Sequence, residues 1–254
     1  MNNENDLISI IMPAYNAEKT LAQAVNSALA QSYRHFELII INDCSDDRTQ
    51  EIAETLSTCD PRIRVLTNTE NRGASKTRHR GAEQARGQWL AFLDSDDEWT
   101  ADKLEKQVSL RKEKNARLVF TGSGFMDQSG ARKDWIMHVP QQVGYRKLLK
   151  QNVVSNSSVL IHKETYLKYE AIGNDFHEDF VCWLRLLRTG ELAYGIDEPL
   201  LIYRLSPASK SGNKLKSAKL NWNAYRATGL NRAEAAYYMI FYTINSLRKY
   251  KNLR

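Results

Sequence analysis

Three aspartates stand within four residues at Asp94–Ser95–Asp96–Asp97, directly after the apolar run Trp89–Leu93. Crowded carboxylates repel one another, so such a run is costly unless a cation neutralises it. Hard oxygen ligands suit Mg²⁺ or Mn²⁺, and the ion would bridge these carboxylates to a diphosphate. The alternative is that the acids cap the following helix and stay solvated. The acidic pattern by itself leaves both interpretations open.

Three further loops carry polar or aromatic residues where a predicted strand ends. They are Pro13–Ala14–Tyr15–Asn16, Asn42–Asp43 and Asn71–Arg72–Gly73. Ligands of an open α/β sheet bind outside the carboxyl ends of its strands, so we expect these loops and the acidic run to meet along one edge. The sequence contains neither GxGxxG nor GxxxxGKS/T. That absence argues against a dinucleotide-dependent oxidoreductase and a P-loop ATPase.

The elements that hold these loops alternate between strand and helix. Apolar runs of strand length are separated by segments with apolar residues at helical spacing. The predicted strands are Leu7–Met12, Phe36–Ile41, Ile63–Leu66 and Trp89–Leu93, and the predicted helices are Glu18–Ala30, Asp47–Ser57 and Ala74–Ala85. Right-handed crossovers turn such a series into a doubly wound, mostly parallel sheet with helices on both faces. The predicted fold class is α/β.

The regular alternation is lost after about residue 115. The predicted helices there are Thr100–Lys114 and Glu178–Arg188, and the predicted strands are Leu118–Thr121, Val159–His162 and Leu200–Tyr203. We expect residues 116–206 to form a mixed extension packed against the same sheet as residues 1–115. A loop at Ser206–Asn213 then leads to two predicted helices, Lys214–Thr228 and Ala233–Tyr250, in a tail of residues 207–254.

Composition predicts a folded protein, and the charge distribution argues against binding of nucleic acid. Of the 254 residues, 42% are hydrophobic and 26% are charged, an ordinary globular mixture. The net charge of +6 comes from the tail, since residues 207–254 carry ten Lys or Arg and one acid. The first 206 residues are therefore net acidic. A nucleic-acid-binding body normally has a basic face of its own.

Cysteine content and the N-terminus indicate where the chain folds. The three cysteines are an odd number without CxxC spacing, so we expect neither a disulfide framework nor a zinc site, and a reducing compartment fits best. The opening MNNENDL lacks the basic and apolar regions of a secretory signal, so we expect the mature chain to start near Met1. No stretch approaches about 18 uninterrupted apolar residues, the length that predicts a transmembrane helix.

Five segments, in order over about the first 190 residues, resemble family 2 of the glycosyltransferases, the inverting group with the GT-A fold. They are SIIMPAYN at 9–16, ELIIINDCSDDRT at 37–49, NRGASKTRHRG at 71–81, WLAFLDSDDEW at 89–99 and HEDFVCWLRL at 177–186. A further stretch, YRLSPASKS at 203–211, is similar to bacterial enzymes that build capsule, teichuronic-acid or O-antigen chains. The resemblance implies transfer of a hexose-type sugar from a UDP-sugar to a hydroxyl of a growing surface glycan. Residues 1–206 would be the catalytic domain, with a nucleotide-sugar half (1–115) and an acceptor half (116–206).

The same resemblance implies roles for residues on the donor side. Pro13 and Tyr15 would lie at the donor base, and Asp43 would hydrogen-bond the uracil ring. Core packing of the tyrosine and helix capping by the aspartate are the alternatives. Asn42 stands where the family usually has Asp, and His79 stands where it usually has Asn. A role that needs two carboxylates at 42–43 is therefore in doubt, and His79 stays unassigned.

Arg78 matches the family arginine of the third helix and would face the nucleotide; a solvated arginine is the alternative. Asp94 and Asp96 would serve the ribose hydroxyl and the metal, with Asp96 as the metal ligand and Asp97 able to share the role. The implied cofactor is Mn²⁺ or Mg²⁺, which stabilises the charge of the departing diphosphate.

An inverting transfer needs one carboxylate on the acceptor side to take the proton of the attacking hydroxyl. Asp179 is the predicted base, because the apolar residues that follow it at helical spacing place it in the first turn of a buried helix, where the dipole favours its ionised form. Glu178 is the second candidate and is expected to orient the acceptor. The alternative is that both acids only complement the helix dipole. His177 is interpreted as a surface histidine.

The tail predicts peripheral attachment to an anionic membrane. An apolar helix face is followed by Arg248, Lys249, Lys251 and Arg254, and consists of Ala236, Tyr237, Met239, Ile240, Phe241, Tyr242, Ile244 and Leu247. Enzymes of this kind act on lipid-linked acceptors at the cytoplasmic face of the cell membrane, and such a helix would lie at its surface. The alternative is that the tail packs on its own body or on a second subunit.

Two other classes of function stay open at this stage. A sugar nucleotidyltransferase also combines a doubly wound sheet with acidic metal ligands, but it commonly begins with a Gly-rich phosphate loop, which Pro13–Asn16 is not. A non-catalytic, basic-tailed nucleic-acid-binding protein is the less favoured alternative. Release of UDP from a UDP-sugar separates the glycosyltransferase from both.

Overall fold

The structure, a computed structural model, describes residues 6–173, 175–205 and 214–251. The predicted loop Ser206–Asn213 and Arg254 of the basic cluster lie outside these residues. The side chains of Arg248, Lys249 and Lys251 are also outside what is described.

The first part of the chain alternates strand and helix, as the sequence predicts. Its elements are β1 (Ile8–Ala14), α1 (Leu21–Leu29), β2 (Phe36–Asn42), α2 (Thr49–Cys59), β3 (Ile63–Thr67), α3 (Ala74–Gln84), β4 (Trp89–Phe92), β5 (Glu98–Trp99) and α4 (Lys103–Lys114). The prediction that Pro13 ends the first strand is wrong, because β1 continues to Ala14. Alternate residues of β1 direct their backbone groups toward β4, and Pro13 is one of them. The pairing of β1 with β4 ends at Ile11. No backbone hydrogen bond of the sheet therefore requires an N–H at Pro13.

The second part is mixed, also as predicted. Its elements are β6 (Leu118–Met126), β7 (Arg132–Met137), β8 (Gln142–Val143), α5 (Tyr145–Lys150), a 3-10 turn (Asn156–Ser158), β9 (Leu160–His162), α6 (Lys163–Tyr169), α7 (Glu178–Leu187), β10 (Ala193–Arg204), α8 (Lys214–Ala227) and α9 (Arg232–Lys251). The last strand is longer than the predicted Leu200–Tyr203, since β10 runs through Pro199 with a register shift between Ile196 and Leu201. A proline is accommodated at such an irregularity because no ladder bond is required there.

One sheet joins both parts of the chain. Its strand order is β3-β2-β1-β4-β9-β6-β10-β5, with β7 on β6 and β8 on β10. The strands from β3 to β4 are parallel, and β9 is antiparallel to both β4 and β6. The doubly wound half and its mixed extension are therefore one continuous sheet. Every residue of β1 and β2 is buried, as expected for parallel strands covered on both faces.

The tail helix α9 has two apolar faces. Its inner face packs on the protein core through Ala235, Tyr238, Met239 and Tyr242. Its outer face exposes Tyr237 (52%), Ile240 (60%) and Ile244 (43%). The predicted membrane-facing set is therefore wrong for Met239 and Tyr242, because a helix that is apolar most of the way round can bury one side and expose the other. Among the described residues, no helix is long and apolar enough to cross a bilayer.

Candidate active site

The predicted edge forms where the parallel strands end. The amide of Asp43 donates to the carbonyl of Ala14, and the amide of Asn68 donates to the carbonyl of Asn42. The loop after β1 joins the loop after β2, since the Asn16 amide donates to Ser45 Oγ. Backbone and side-chain hydrogen bonds thus hold neighbouring loops together at the carboxyl ends of β1, β2 and β3.

Asp43 fixes the loop that starts α3. Its carboxylate accepts hydrogen bonds from Asn68 Nδ2 (2.6 Å), the Arg72 amide (2.9 Å) and the Gly73 amide (2.8 Å), and only 3% of the residue is exposed. Gly73 has φ 79°, a backbone conformation that suits glycine. The Asp43 carboxylate thus holds the two amides that precede α3, rather than the first-turn amides of a helix.

Tyr15 is 48% exposed. The core-packing alternative for this ring is therefore wrong, and its flat face is accessible at the edge of the sheet. Asn16, the next residue, has φ 49° and accepts the Asp46 amide through Oδ1. This turn presents Tyr15 beside the loop that contains Asp43. Pro13, by contrast, is buried inside β1.

The acidic run forms a folded loop rather than a solvated helix cap. The amide of Asp97 donates to the Asp94 carbonyl, and the Asp94 amide donates to Ser157 Oγ of the 3-10 turn. The three carboxylates face different surroundings. Asp94 pairs with Arg78, whereas Asp97 is 1% exposed and accepts the Arg204 amide. Asp96 is half-buried, in contrast to the solvated acids of that alternative.

The charge of the acid loop is only partly compensated. Burial, together with the negative charge of Asp94, raises the pKa of Asp96 to about 6. Burial, together with the negative charges of Asp96 and Asp94, raises the pKa of Asp97 well above its ordinary value. Among the described residues, no three Asp, Glu, His or Cys side chains form a complete set of metal ligands.

Arg78 connects the acid loop to the second half of the chain. Its Nη2 donates to Asp94 Oδ1 (2.5 Å), and its Nη1 donates to Glu178 Oε1 (2.8 Å). The residue is buried, which excludes the solvated alternative. Burial alone would lower the pKa of Arg78, but Asp94 and Glu178 hold it above its ordinary value. The guanidinium occupies the junction between the donor side and the predicted base helix.

Asp179 lies in the first turn of α7, as predicted. Its Oδ1 accepts the amide of Phe180 (2.7 Å). Burial and the neighbouring charge of Glu178 raise the pKa of the Asp179 carboxyl, whereas His177 and Arg78 lower it. The two acids of the turn are thus distinguished by their partners. Glu178 is bound to Arg78, and Asp179 has no cationic partner within salt-bridge distance among the described residues.

Two polar residues of uncertain role have structural partners away from the acid loop. Asn42 is buried; its Nδ2 donates to Gln50 Oε1, and its Oδ1 accepts from Ser45 Oγ. His79 Nδ1 lies 2.6 Å from Glu170 Oε1, at the end of α6. Asn42 thus supports the loop of Ser45 at the same sheet edge as Asp43, whereas His79 connects α3 to the end of α6.

Sequence reasoning missed Ser157 and Arg204. Ser157 supports the acid loop from a 3-10 turn more than sixty residues further along the chain, and its carbonyl accepts Trp99 Nε1. No local pattern marks this serine. Arg204 lies in the YRLSPASKS stretch, whose resemblance could have drawn attention to it, but nothing in its spacing indicates its contacts.

Comparison with known proteins agrees with this geometry. The family model described as glycosyl transferase family 2 matches residues 9–175. TuaG of Bacillus subtilis, a provisionally named teichuronic acid biosynthesis glycosyltransferase, is 38% identical over 250 residues, 98% of this chain and 99% of its own. WfgD of Escherichia coli, a UDP-Glc:alpha-D-GlcNAc-diphosphoundecaprenol beta-1,3-glucosyltransferase, is 33% identical over 97% of each chain.

Solved structures show the same fold. Residues 1–349 of TarS from S. aureus in complex with UDP-GlcNAc match with a TM-score of 0.70 and 18% identity, over 91% of this chain and 70% of that one. The complex of the same fragment with UDP matches with a TM-score of 0.67. The GT-A fold predicted from the sequence is confirmed.

Proposed function

The chain belongs to family 2 of the glycosyltransferases, and from this premise we propose that it transfers a hexose-type sugar from a UDP-sugar to a hydroxyl of a bacterial surface glycan. The observation that carries the proposal is the Arg78 bridge. It places Asp94 of the acid loop and the helix turn of Asp179 on either side of one guanidinium. Residues 1–115 would hold the donor, and residues 116–206 the acceptor.

The donor side has the groups that a uridine diphosphate requires. Asp43 would accept the imide N–H of uracil, and the exposed ring of Tyr15 would lie against the base. The TarS structures, which share the fold, contain UDP and UDP-GlcNAc. These observations support UDP rather than a purine nucleotide as the carrier.

The acid loop fits Mn²⁺ or Mg²⁺ shared with the substrate. Magnesium is commonly held by one or two carboxylates together with substrate phosphates. Asp96 would supply one such carboxylate; burial and the negative charge of Asp94 raise its pKa, and a bound cation would favour its charged form. The bound ion would stabilise the charge that develops on the departing diphosphate.

The reaction we propose is a single displacement with inversion. Asp179 takes the proton of the acceptor hydroxyl while the hydroxyl oxygen bonds to the anomeric carbon. The bond from that carbon to the diphosphate breaks, and its electron pair leaves with UDP. Burial raises the pKa of Asp179, which makes it a stronger base than an exposed aspartate. Glu178 and Arg78 fix the turn from which it acts.

We further propose that the acceptor is lipid-linked and that the enzyme is peripheral at the cytoplasmic face of the membrane. The name of WfgD specifies a diphosphoundecaprenol acceptor. Here the exposed residues of α9 adjoin exposed cations on α5, since Lys150 Nζ lies 5.1 Å from the Phe241 ring centroid. On its inner face α9 contacts the base helix, with 6.2 Å between the ring centroids of Phe180 and Tyr242. The helix α9 would therefore lie between the predicted membrane surface and the helix that carries the base.

A donor panel tests the proposed function. The purified protein is incubated with UDP-sugars, Mn²⁺ and an undecaprenyl-diphosphate-linked sugar, and released UDP is measured. Acceptor-dependent UDP release is expected for at least one donor. Release of pyrophosphate from UTP and a sugar phosphate would instead identify a nucleotidyltransferase. Binding of oligonucleotide without turnover would favour the nucleic-acid-binding alternative.

A further inference from the structure

Arg204 ends β10, and its side chain contacts three separate segments around the acid loop. Nε donates to the carbonyl of Asp96 (2.8 Å). Nη1 donates to the carbonyls of Asp127 and Gln128 (both 3.3 Å), in the turn between β6 and β7. Nη2 donates to Gln23 Oε1 (3.1 Å) on α1.

The backbone of the same residue adds a contact to the loop. The Arg204 amide donates to Asp97 Oδ1 (3.0 Å) and so fixes the buried acid beside Asp96. Glu98, the next residue of the loop, lies 3.7 Å from Arg204 Nη2. Main-chain and side-chain contacts of one arginine thus reach three consecutive residues, Asp96, Asp97 and Glu98.

We infer that Arg204 is a positioning residue that sets the orientation of the Asp96 carboxylate toward the shared cation. Its bond to the Asp96 carbonyl restrains the peptide unit from which this carboxylate projects. The inference rests on the proposed function for the identity of the cation. It does not make Arg204 a ligand, because a guanidinium has no acceptor to offer a metal.

The geometry requires arginine rather than any cation. Four acceptors from three segments are reached by three nitrogens held in one plane. A lysine ammonium is a single donor atom and cannot reach all of them from one position. Arg204→Lys therefore keeps the charge near Asp96 and the backbone bond to Asp97, and removes the restraint on the carbonyl.

Arg132 provides a matched control. It also pairs with Glu98, through Nη2 at 2.6 Å, but its side chain is 53% exposed. It bonds Glu98 Oε2 rather than the carbonyls of the acid loop. Arg132→Lys should therefore perturb the same neighbourhood without releasing Asp96.

Hydrogen exchange tests the restraint without any ligand. In Arg204→Lys, peptides that cover residues 94–99 should exchange at least tenfold faster than in the wild type, whereas Arg132→Lys should leave them unchanged. Unchanged exchange in folded Arg204→Lys would overturn the inference. If that variant does not fold, Arg204→Met is compared with Arg132→Met, and a wild-type exchange rate for residues 94–99 in Arg204→Met would overturn the inference as well.

Calorimetry then tests the role toward the cation. Arg204→Lys should weaken Mn²⁺ binding in the presence of UDP by about tenfold, with metal-free UDP binding within twofold of the wild type. Equal loss of UDP binding with and without Mn²⁺ would show general damage and contradict the role. Failure of the wild type to bind UDP would contradict the proposed function instead, while the exchange experiment still decides whether Arg204 restrains the loop.

Discussion

Arg78 and Glu178 are one hundred positions apart in the sequence, and Nη1 of the arginine donates to Oε1 of the glutamate at 2.8 Å. The same guanidinium holds Asp94. The residue that follows Glu178 is the proposed base, so this pair determines where α7 begins relative to the acid loop. Because both charged side chains of this pair are largely buried, loss of either one should lower the stability of the protein.

Removal of Arg78 should strongly destabilise the protein. Arg78→Met removes the guanidinium that both the Asp94 and the Glu178 carboxylates contact, and breaking a buried pair costs roughly 3–5 kcal/mol. The melting temperature should fall by several degrees or more. Arg48→Met, which removes a pair whose side chains are 70% and 61% exposed, is the control and should change stability little. Similar melting temperatures for the two variants would contradict a supporting role for the Arg78 bridge.

Replacement of Asp179 by Asn should abolish the proton acceptor and preserve the shape of the side chain. We expect turnover to fall by roughly 10²- to 10⁴-fold with donor affinity little changed, the usual effect of losing a positioned base. Asp175→Asn, an exposed acid four positions earlier, is the control. Normal turnover in Asp179→Asn would move the base elsewhere, with Glu178 the first alternative.

The wild-type pH profile should have an acidic limb set by Asp179. Its pKa is raised above 3.8 by burial and Glu178, so the base becomes protonated at a higher pH than an exposed aspartate does. Turnover should therefore decline as the pH falls through this raised pKa. A turnover that is constant down to pH 4 in folded enzyme would contradict the assignment.

Loss of the Asp96 carboxylate should abolish activity without lowering the stability of the protein. Asp96→Asn should reduce transfer nearly to background, and EDTA should do the same to the wild type. Because burial and Asp94 disfavour the charged form of Asp96, the variant should melt no lower than the metal-free wild type. Full activity after EDTA treatment would remove the divalent cation from the proposed reaction.

Buried Lys103 should make stability depend on pH. Its Nζ lies 2.7 Å from Gln107 Oε1 and 3.9 Å from the Trp99 ring centroid, and burial lowers its pKa well below 10.5. The unfolded chain then binds this proton more tightly, so native stability falls as the pH drops below 10.5, by about 1.4 kcal/mol per unit until the lowered pKa is reached. The melting temperature of Lys103→Met relative to wild type should therefore be higher at pH 7 than at pH 10. Lys106→Met, at a lysine that is only partly buried, is the control, and an equal difference at both pH values would contradict a lowered pKa of Lys103.

Membrane docking is best tested on the outer face of α9. Truncation of the tail would also uncover the core that Tyr238, Met239 and Tyr242 cover, so a point variant is cleaner. Ile240→Glu should weaken co-sedimentation with anionic liposomes at low salt. Ile136→Glu, at an isoleucine 40% exposed on β7, should not. Equal binding by both variants would contradict docking through α9, and a concentration-dependent dimer lost only in Ile240→Glu would assign this face to a second subunit.

Local patterns predicted the elements of the first 115 residues well, because strands such as β4 are continuous apolar runs and are followed by recognisable polar clusters. The spacing of apolar residues also predicted that Asp179 lies in the first turn of its helix. The ion pair between Arg78 and Glu178 could not be predicted, because nothing in the sequence near Arg78 specifies a partner one hundred residues away. The length of β10 was also underestimated, because Pro199 was expected to precede the strand. The apolar residues of α9 surround most of the helix, so the sequence did not predict which face packs on the core.

The continuous sheet constrains how acceptor preference can be changed by recombination. Strand β9 pairs with β4 and strand β10 pairs with β5, so a chimera joined near residue 115 would have to match the Leu90–Ile161 and Trp99–Leu201 registers at once. Exchange of whole halves between relatives would thus put both of these pairings between strands of different origin. Grafts that leave β6, β9 and β10 in place and replace only the connecting loops avoid that mismatch, and they are the practical route to hybrid enzymes with new glycan acceptors.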